Sequence, residues 1–178
     1  MLNKDTYYYI DGLQSERLYT RFLTLEDISQ WSAFFDSKIA TEFTMDFGPI
    51  TSEEKGKIWI EKQLNRYAEN RYGLQAIILK SNGKLIGQCG LLHQIVNGKD
   101  ELEVGYHFLP EYWGNSYAPE AAKTFMEFAK THILSDSITS LIAINNLRSQ
   151  RVAEKNGLQR EPQTTWMDKE IYVYRKAF

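Results

Sequence analysis

The sequence is poor in the residues that build covalent cross-links and metal clusters. Among 178 residues it has one cysteine, Cys89, and three histidines, at positions 93, 107 and 132. A single cysteine excludes an intramolecular disulfide and a cysteine-based zinc cluster. The histidines are scattered and lack the spacing of metal ligands, so we expect no metal ion.

The sequence also has little net charge and no long apolar run. Its 21 basic and 23 acidic side chains give a formal charge of -2, which argues against nucleic acid or a membrane surface as the main partner. No stretch is long enough to span a bilayer, and the first residues contain no apolar signal core, so a cytoplasmic protein is expected. A hydrophobic share of 43% is enough for one globular domain over residues 1–178.

Hydrophobic periodicity and turn signals predict a mixed sheet with helices. Strands are predicted at residues 17–24, 74–80, 84–93, 102–109, 137–144 and 171–175, and helices at 26–35, 51–70, 118–131 and 146–156. Asn82-Gly83 and Asn97-Gly98 are typical of hairpins, so the strands around them should form an antiparallel meander. The later strand–helix–strand order implies a right-handed crossover and one parallel pair. The predicted fold class is therefore α/β, with a mixed, mostly antiparallel central sheet and helices on both faces.

The segment between the fourth predicted strand and the next helix is the most informative part of the chain. It reads PEYWGNSYAPEAA, and the residues around the predicted helix start are Gly114, Asn115, Ser116, Tyr117 and Ala118. A helix start leaves backbone N–H groups unpaired and carries a partial positive charge, and small side chains keep those groups accessible. The loop is therefore able to bind a phosphate or pyrophosphate without a lysine. The alternative is a strand-to-helix turn that binds nothing.

Three stretches carry a family resemblance, in the right order and over nearly the whole chain. They are SERLYTRFLTLEDI at residues 15–28, ELEVGYHFLPEYWGNSYAPEAA at 101–122 and INNLRSQRVAEKNGL at 144–158. They resemble the GNAT N-acetyltransferase superfamily, and within it the branch of the ribosomal-protein N-terminal acetyltransferases RimJ and RimL. The resemblance implies the GNAT-like fold and transfer of an acetyl group from acetyl-coenzyme A (acetyl-CoA) to a primary amine. It also implies that Asn146 and Ser149 face this cosubstrate and that the Gly114 loop holds its pyrophosphate.

One position departs from the pattern of the superfamily. The pyrophosphate motif begins with Arg or Gln, where this chain has Glu111, while Gly114 matches and Ser116 takes the final small position. We expect Glu111 to point to solvent, so that the backbone N–H groups stay accessible.

The strand before the loop supplies the next candidates. The backbone groups of Tyr106, His107 and Phe108 are predicted to bind the acetyl and pantetheine portion, as an added strand would. This strand should splay from the strand at 138–144 and leave a cleft. Glu103 is the candidate base for the amine, directly or through water, and the alternative is a structural carboxylate paired with a basic side chain. His107 lies on the same face and either relays a proton or is a packed, hydrogen-bonded core histidine.

Ser149 is the candidate hydrogen-bond donor to the departing thiolate. The alternative is that Asn146 is an N-cap residue and Ser149 its first-turn neighbour, with no ligand. Cys89 is expected to pack as a small apolar group, which favours direct transfer over a covalent acetyl-enzyme.

The acceptor is left open by the sequence. Residues 40–50 combine aromatic side chains with Glu42 and Asp46, which suits a cationic acceptor but also fits solvated loop charges. A peptide N-terminus, an aminoglycoside, a polyamine and an amino acid are all compatible. The rival functions are a non-catalytic coenzyme A-binding sensor or interaction module, and a scaffold domain with an empty loop.

Overall fold

A seven-stranded mixed sheet lies at the centre of the protein. The structure is a computed structural model that describes residues 7–178. Its strands are β1 (Leu18–Arg21), β2 (Leu74–Leu79), β3 (Leu85–Val96), β4 (Lys99–Phe108), β5 (Ser137–Ala143), β6 (Gln159–Trp166) and β7 (Lys169–Ala177). Its helices are α1 (Asp27–Asp36), α2 (Lys38–Thr41), α3 (Ser52–Ala68), α4 (Tyr117–Thr131) and α5 (Leu147–Lys155).

The order of the strands confirms the predicted fold class. It is β1-β2-β3-β4-β5-β7-β6, and within residues 7–178 only the β4–β5 pair is parallel. Helix α4 connects these two parallel strands, as the strand–helix–strand pattern predicted. The sheet is therefore mixed and mostly antiparallel.

Helices cover both faces of the sheet and bury two hydrophobic cores. On one face α1 and α3 contribute the buried side chains Trp31, Phe34 and Ile60. On the other face α4 contributes Phe125, and α5 contributes Ala153. Helix α3 begins with a complete capping box between Thr51 and Glu54. The face that each helix buries follows its 3.6-residue periodicity.

The Asn97-Gly98 hairpin is longer than predicted. Both turn residues have positive φ, 50° and 74°, which allows a two-residue turn that matches the twist of the strands. Pairing continues up to the turn, with Val96 opposite Lys99, so β3 and β4 pass the predicted limits at 93 and 102. The residues at the hairpin tip are mostly polar, so a hydrophobicity pattern could not assign them to the strands.

Strand β6 and the short helix α2 were missed by the sequence patterns. Strand β6 forms the edge of the sheet, is mostly exposed, and has a register shift between Arg160 and Gln163. Pro162 lies in this shift, and an edge strand tolerates proline because one side of its backbone needs no partner. Its polar residues therefore lack the alternation of a half-buried strand.

Strands β4 and β5 separate soon after they meet. Their ladder has a single register pair, Glu103 with Thr139. Two side chains add bonds across the junction: the hydroxyl of Thr139 donates to the Leu102 carbonyl (3.1 Å) and that of Ser140 to the Val104 carbonyl (2.9 Å). Beyond this point the strands diverge, which is the splay that the sequence predicted.

Candidate active site

A cleft of about 730 Å3 opens where β4 and β5 separate. Of the residues predicted for the site, all but Asn115 line this cleft: Glu103, Tyr106, His107, Phe108, Gly114, Ser116, Tyr117, Ala118, Asn146 and Ser149. The side chain of Asn115 instead donates to the carbonyls of Tyr112 (3.2 Å) and Trp113 (3.1 Å) and shapes the loop. The fold thus brings together residues from β4, the loop before α4, and α5.

The loop before α4 presents unpaired backbone donors to the cleft. Gly114 (φ 81°) and Ser116 (φ 61°) both adopt left-handed backbone, and no side chain caps the helix start. Within residues 7–178, the N–H groups from Gly114 to Ala118 have no hydrogen-bond partner. A Cβ added at Gly114 would meet no atom within 4 Å, so the loop surface is open. Because these donors lie at the positive end of a 15-residue helix, the loop fits an anion such as a pyrophosphate.

Glu111 does not oppose this site. Its side chain is exposed and is not part of the cleft wall. The departure from the superfamily motif therefore places no negative charge on the unpaired N–H groups.

Helix α5 adds positive charge that the sequence reasoning missed. Arg148, Arg151 and Lys155 all line the cleft, and Lys155 Nζ lies 3.4 Å from the Ser116 hydroxyl. Arg148 stacks on the Trp113 ring (4.7 Å) and forms an exposed ion pair with Glu42 (3.6 Å). The sequence did contain a signal for this cluster. The three cations are three, four and seven residues apart, and this spacing places them on one face of a helix.

Glu103 is buried in the wall of the cleft, and its carboxylate is held by neutral donors. Oε2 accepts from the Gln94 side chain (2.7 Å), and Oε1 accepts a longer bond from the Leu141 N–H (3.4 Å). No ion pair with Glu103 forms within the part of the chain described, although Arg66 lies near enough to act on it electrostatically. Burial raises the pKa of Glu103, and the two hydrogen bonds and Arg66 only partly oppose that shift. The carboxylate is therefore better suited to accept a proton than an exposed glutamate.

His107 lies on the same face of β4 as Glu103 and packs among aromatic rings. Its ring contacts Trp59 (4.9 Å) and Phe34 (5.9 Å) edge-on. The expected packing is present, but among residues 7–178 the imidazole has no hydrogen-bond partner. Burial lowers the pKa of His107 to about 4, so the ring is neutral at neutral pH.

Ser149 and Asn146 lie at the start of α5, facing β4. Asn146 is the N-cap residue, and its side chain accepts from the Ser149 N–H (3.2 Å). The Tyr106 hydroxyl donates to the Ser149 carbonyl (2.9 Å), which ties β4 to α5 across the cleft. Asn146 therefore caps α5 and also lines the cleft, with Ser149 beside it, so the two alternatives do not exclude each other.

The segment predicted to face the acceptor lines part of the cleft. Phe43, Met45 and Asp46 line it, whereas Phe47 packs on Phe35 (5.3 Å) and belongs to the core. Further wall residues come from elements that the prediction left out: Trp59 and Lys62 on α3, Gln94 on β3, and Trp166, Met167 and Lys169 around the β6–β7 turn. Phe43 of the predicted segment therefore lines the cleft, and Phe47 is part of the core.

Other parts of the described chain add no competing chemistry. Cys89 is buried, and burial raises the pKa of its thiol. Within residues 7–178, no group of three or more His, Cys, Asp or Glu side chains could hold a metal ion. None of the helices described there combines the length and apolar character that crossing a membrane requires.

Comparison with known families assigns the chain. The family model described as the acetyltransferase (GNAT) domain matches residues 17–159. The chain belongs to the GNAT acetyltransferase family. This match includes most residues of the cleft wall, the Gly114 loop and both parallel strands, and it confirms the predicted family and enzyme class.

Individual proteins resemble the chain over most of their length. The Bacillus subtilis protein YkkB is 33% identical over 135 residues, which are 74% of this chain and 77% of YkkB. An acetyltransferase from Agrobacterium tumefaciens has a TM-score of 0.77 at 25% identity and covers 99% of both chains. RimL, solved in complex with coenzyme A as a ribosomal L7/L12 acetyltransferase, has a TM-score of 0.74 at 13% identity, over 92% of this chain and 95% of RimL. The predicted likeness to the RimJ and RimL branch is thus confirmed at the level of the fold.

Proposed function

We propose that this protein transfers an acetyl group from acetyl-CoA directly to a primary amine, in one catalytic domain formed by residues 1–178. One observation carries the proposal. The cleft between β4 and β5 has unpaired N–H groups at one end and, at the other, a buried carboxylate without an ion-pair partner in the described chain. A strand rises about 3.3 Å per residue, so Glu103 and Phe108 are about 17 Å apart along β4. That span suits an extended pantetheine arm between the pyrophosphate and the reacting thioester.

The cosubstrate would lie along β4. The N–H groups of the Gly114 loop would bind the pyrophosphate, and Arg148, Arg151 and Lys155 would add positive charge near it. The side of β4 that β5 leaves uncovered, at Tyr106–Phe108, would offer backbone groups to the pantetheine arm. Acetyl-CoA supplies the acetyl thioester to this arrangement.

The residues at the other end of the cleft would move the protons. Glu103 would take a proton from the ammonium of the acceptor, directly or through water, so that the neutral amine can attack. The raised pKa of Glu103 brings its basicity closer to that task. The Ser149 hydroxyl would donate a hydrogen bond to the departing thiolate. Direct transfer is favoured because the buried Cys89 thiol is no nucleophile for an acetyl-enzyme.

The test is incubation of the purified protein with acetyl-CoA and a panel of amines. The panel contains a peptide N-terminus, an amino acid, a polyamine and an aminoglycoside, and release of free thiol is measured together with the mass of the acetylated product. Thiol release that depends on the amine supports the proposal. Binding of acetyl-CoA without turnover of any amine would favour the coenzyme A-binding module instead, and no binding would favour the scaffold.

Gly114→Asp tests the binding end of the cleft separately. The added carboxylate would lie among the unpaired N–H groups and repel the pyrophosphate, and the left-handed backbone also disfavours the larger side chain. We expect acetyl-CoA affinity to fall at least tenfold, or ~1.4 kcal/mol, by calorimetry on the folded variant. Glu111→Gln, outside the cleft wall, is the control. An unchanged affinity of Gly114→Asp would contradict the role of the loop.

A further inference from the structure

A second groove, of about 380 Å3, lies along α3 next to the cleft. Lys62 lines both the groove and the cleft, and Arg66 lies one helical turn further along α3 in the groove wall. The groove also contains two acids, Glu61 and Glu69. Its charge balance therefore depends on which of these side chains pair with each other.

The two acids of the groove form ion pairs with cations other than Lys62 and Arg66. Glu61 pairs with Lys57 (3.8 Å), and Glu69 pairs with Arg71 (2.9 Å). Among residues 7–178, neither Lys62 nor Arg66 forms an ion pair within 4.0 Å. Arg66 donates a hydrogen bond to the Tyr72 carbonyl (3.1 Å), which leaves most of its donors without a partner.

Lys62 and Arg66 are neighbouring like charges on α3, and their repulsion reduces the stability of the helix. Like charges four residues apart destabilise a helix by a few tenths of a kcal/mol. Burial lowers the pKa of Lys62, and Arg66 and Arg71 lower it further. Burial and the neighbouring Arg71 also lower the pKa of Arg66. The groove is thus a local positive field in a chain whose formal net charge is -2.

The field lies beside the proposed base. Arg66 and Glu103 each shift the pKa of the other, and Lys62 and Gln94 share the wall of the cleft with Glu103. The other charged groups at this end are Asp46, whose carboxylate accepts from the Gly48 N–H (2.8 Å), and Lys169, which donates to the Thr44 carbonyl (3.0 Å). An amine at Glu103 would therefore have a positive field a short distance away. A purely cationic acceptor would be repelled by that field.

We propose that the acceptor is a small molecule that carries an oxyanion, a carboxylate or a phosphate, close to its reactive amine, and that Lys62 and Arg66 bind this oxyanion. The inference rests on the acetyltransferase function proposed above. It separates an amino acid or an amino phosphate from a polyamine or an aminoglycoside. Lys62 and Arg66 are then residues that determine specificity, and Glu103 acts on the amine end of the same molecule.

The experiment compares amines that differ only in the oxyanion. L-Phenylalanine is compared with phenethylamine for the carboxylate, and O-phosphoethanolamine with ethanolamine for the phosphate, with spermidine as the polycation. Rates are measured across one pH range, which separates charge recognition from the basicity of the amine. We expect kcat/KM to be at least tenfold higher for the member of one pair that carries the oxyanion, and that pair identifies the oxyanion.

Lys62→Met then tests the residue. It keeps the length of the side chain and removes the charge, so KM for the acceptor that carries the oxyanion should rise about tenfold with little change in kcat, while KM for the partner that lacks the oxyanion is unaffected. Lys55→Met is the matched control, because Lys55 lies two turns earlier on α3 and outside both cavities. Equal turnover of the amines that lack an oxyanion, spermidine included, or an unchanged preference in Lys62→Met, would overturn this inference alone. Failure of every amine to react would overturn the proposed function as well.

Discussion

The region around Glu101 and the region around Glu103 treat a buried carboxylate in opposite ways. The two residues are neighbours on the same face of β4, and both are buried. Glu101 receives two bonds from the Arg175 guanidinium, at 2.7 and 2.8 Å, and Arg175 also binds Glu161 (2.5 Å). Glu103 receives only neutral donors and lies in the wall of the cleft. Glu101 therefore fits the structural alternative that the sequence left open for Glu103.

The difference shows that the partner of a buried carboxylate, rather than its burial, indicates its role. An arginine fork fixes the charged form and uses both carboxylate oxygens. The bond to Glu101 correspondingly raises the pKa of Arg175. Neutral donors orient Glu103 without supplying a full opposite charge, and burial raises its pKa. A carboxylate of the second kind is able to take up a proton during a reaction.

The largest expected effect is on turnover in Glu103→Gln. The amide keeps the shape but cannot accept a proton, so kcat should fall about 10²-fold or more, the scale of general base catalysis. The deficit should shrink at high pH, where the amine is already neutral. A pH–rate profile with one confirmed acceptor measures both. Full turnover at every pH would make Glu103 structural and leave the base to water or another cleft residue.

The stability of Glu103→Gln is a second test of the difference between Glu103 and Glu101. Because the pKa of Glu103 is raised in the folded state, that state binds the proton more tightly than the unfolded chain does. The contribution of Glu103 to wild-type stability should then fall as pH rises from near 4.5, the unperturbed value, through the folded pKa. The variant lacks this loss. It should be at least as stable as wild type at neutral pH in a denaturant titration.

The next largest effect is on the stability of Glu101→Gln. The variant places an amide against the Arg175 fork and leaves a part-buried guanidinium with Glu161 as its remaining acid. Removing one partner of a buried pair costs 3–5 kcal/mol, and about 2 kcal/mol is expected here because Arg175 is partly exposed and keeps Glu161. Turnover per folded molecule should stay near that of wild type. A loss of kcat as large as in Glu103→Gln would erase the distinction between the two glutamates.

A smaller effect is expected for Ser149→Ala. Water can protonate a thiolate in place of the hydroxyl, so turnover should fall several-fold rather than 10²-fold. Its deficit should not shrink at high pH, because the role proposed for Ser149 concerns the leaving group and not the amine. The same pH–rate profile checks this, and Asn146 still caps α5 because it binds the Ser149 backbone. A deficit that disappears at high pH would contradict the assigned role.

The fold was predictable from the sequence where local chemistry decides it. Asn97-Gly98 specifies a tight turn, Thr51 and Glu54 specify a helix start, and apolar spacing specifies the buried face of each helix. Strand β6 was not predictable, because an edge strand needs no hydrophobic alternation and its pairing with β7 is set by tertiary contacts.

The site was predictable only in part, for a related reason. The Gly114 loop and Glu103 carry local signals, since small residues and a charge in a buried strand stand out. Gln94 has no such signal, yet the tight turn at Asn97-Gly98 fixes the register that brings β3 opposite β4 near Glu103. The pairing of Glu101 with Arg175 joins strands that are far apart in sequence, so no local pattern could assign it.

The smallest expected effect tests what Gln94 does for Glu103. Its side chain donates to the carboxylate and so favours the charged form. In Gln94→Met the donor is lost while the length is kept, so the pKa of Glu103 should rise further. A base must be ionised to act, so the acidic limb of kcat/KM should move to higher pH by roughly half to one unit, the value of one hydrogen bond of about 1 kcal/mol. The plateau at high pH should stay near wild type, because there Glu103 is ionised in both proteins.

Glu101→Gln is the matched control and should leave the acidic limb of kcat/KM in place, since it changes a different carboxylate on the same strand. An unmoved limb in Gln94→Met would mean that the group titrating in the profile is not Glu103.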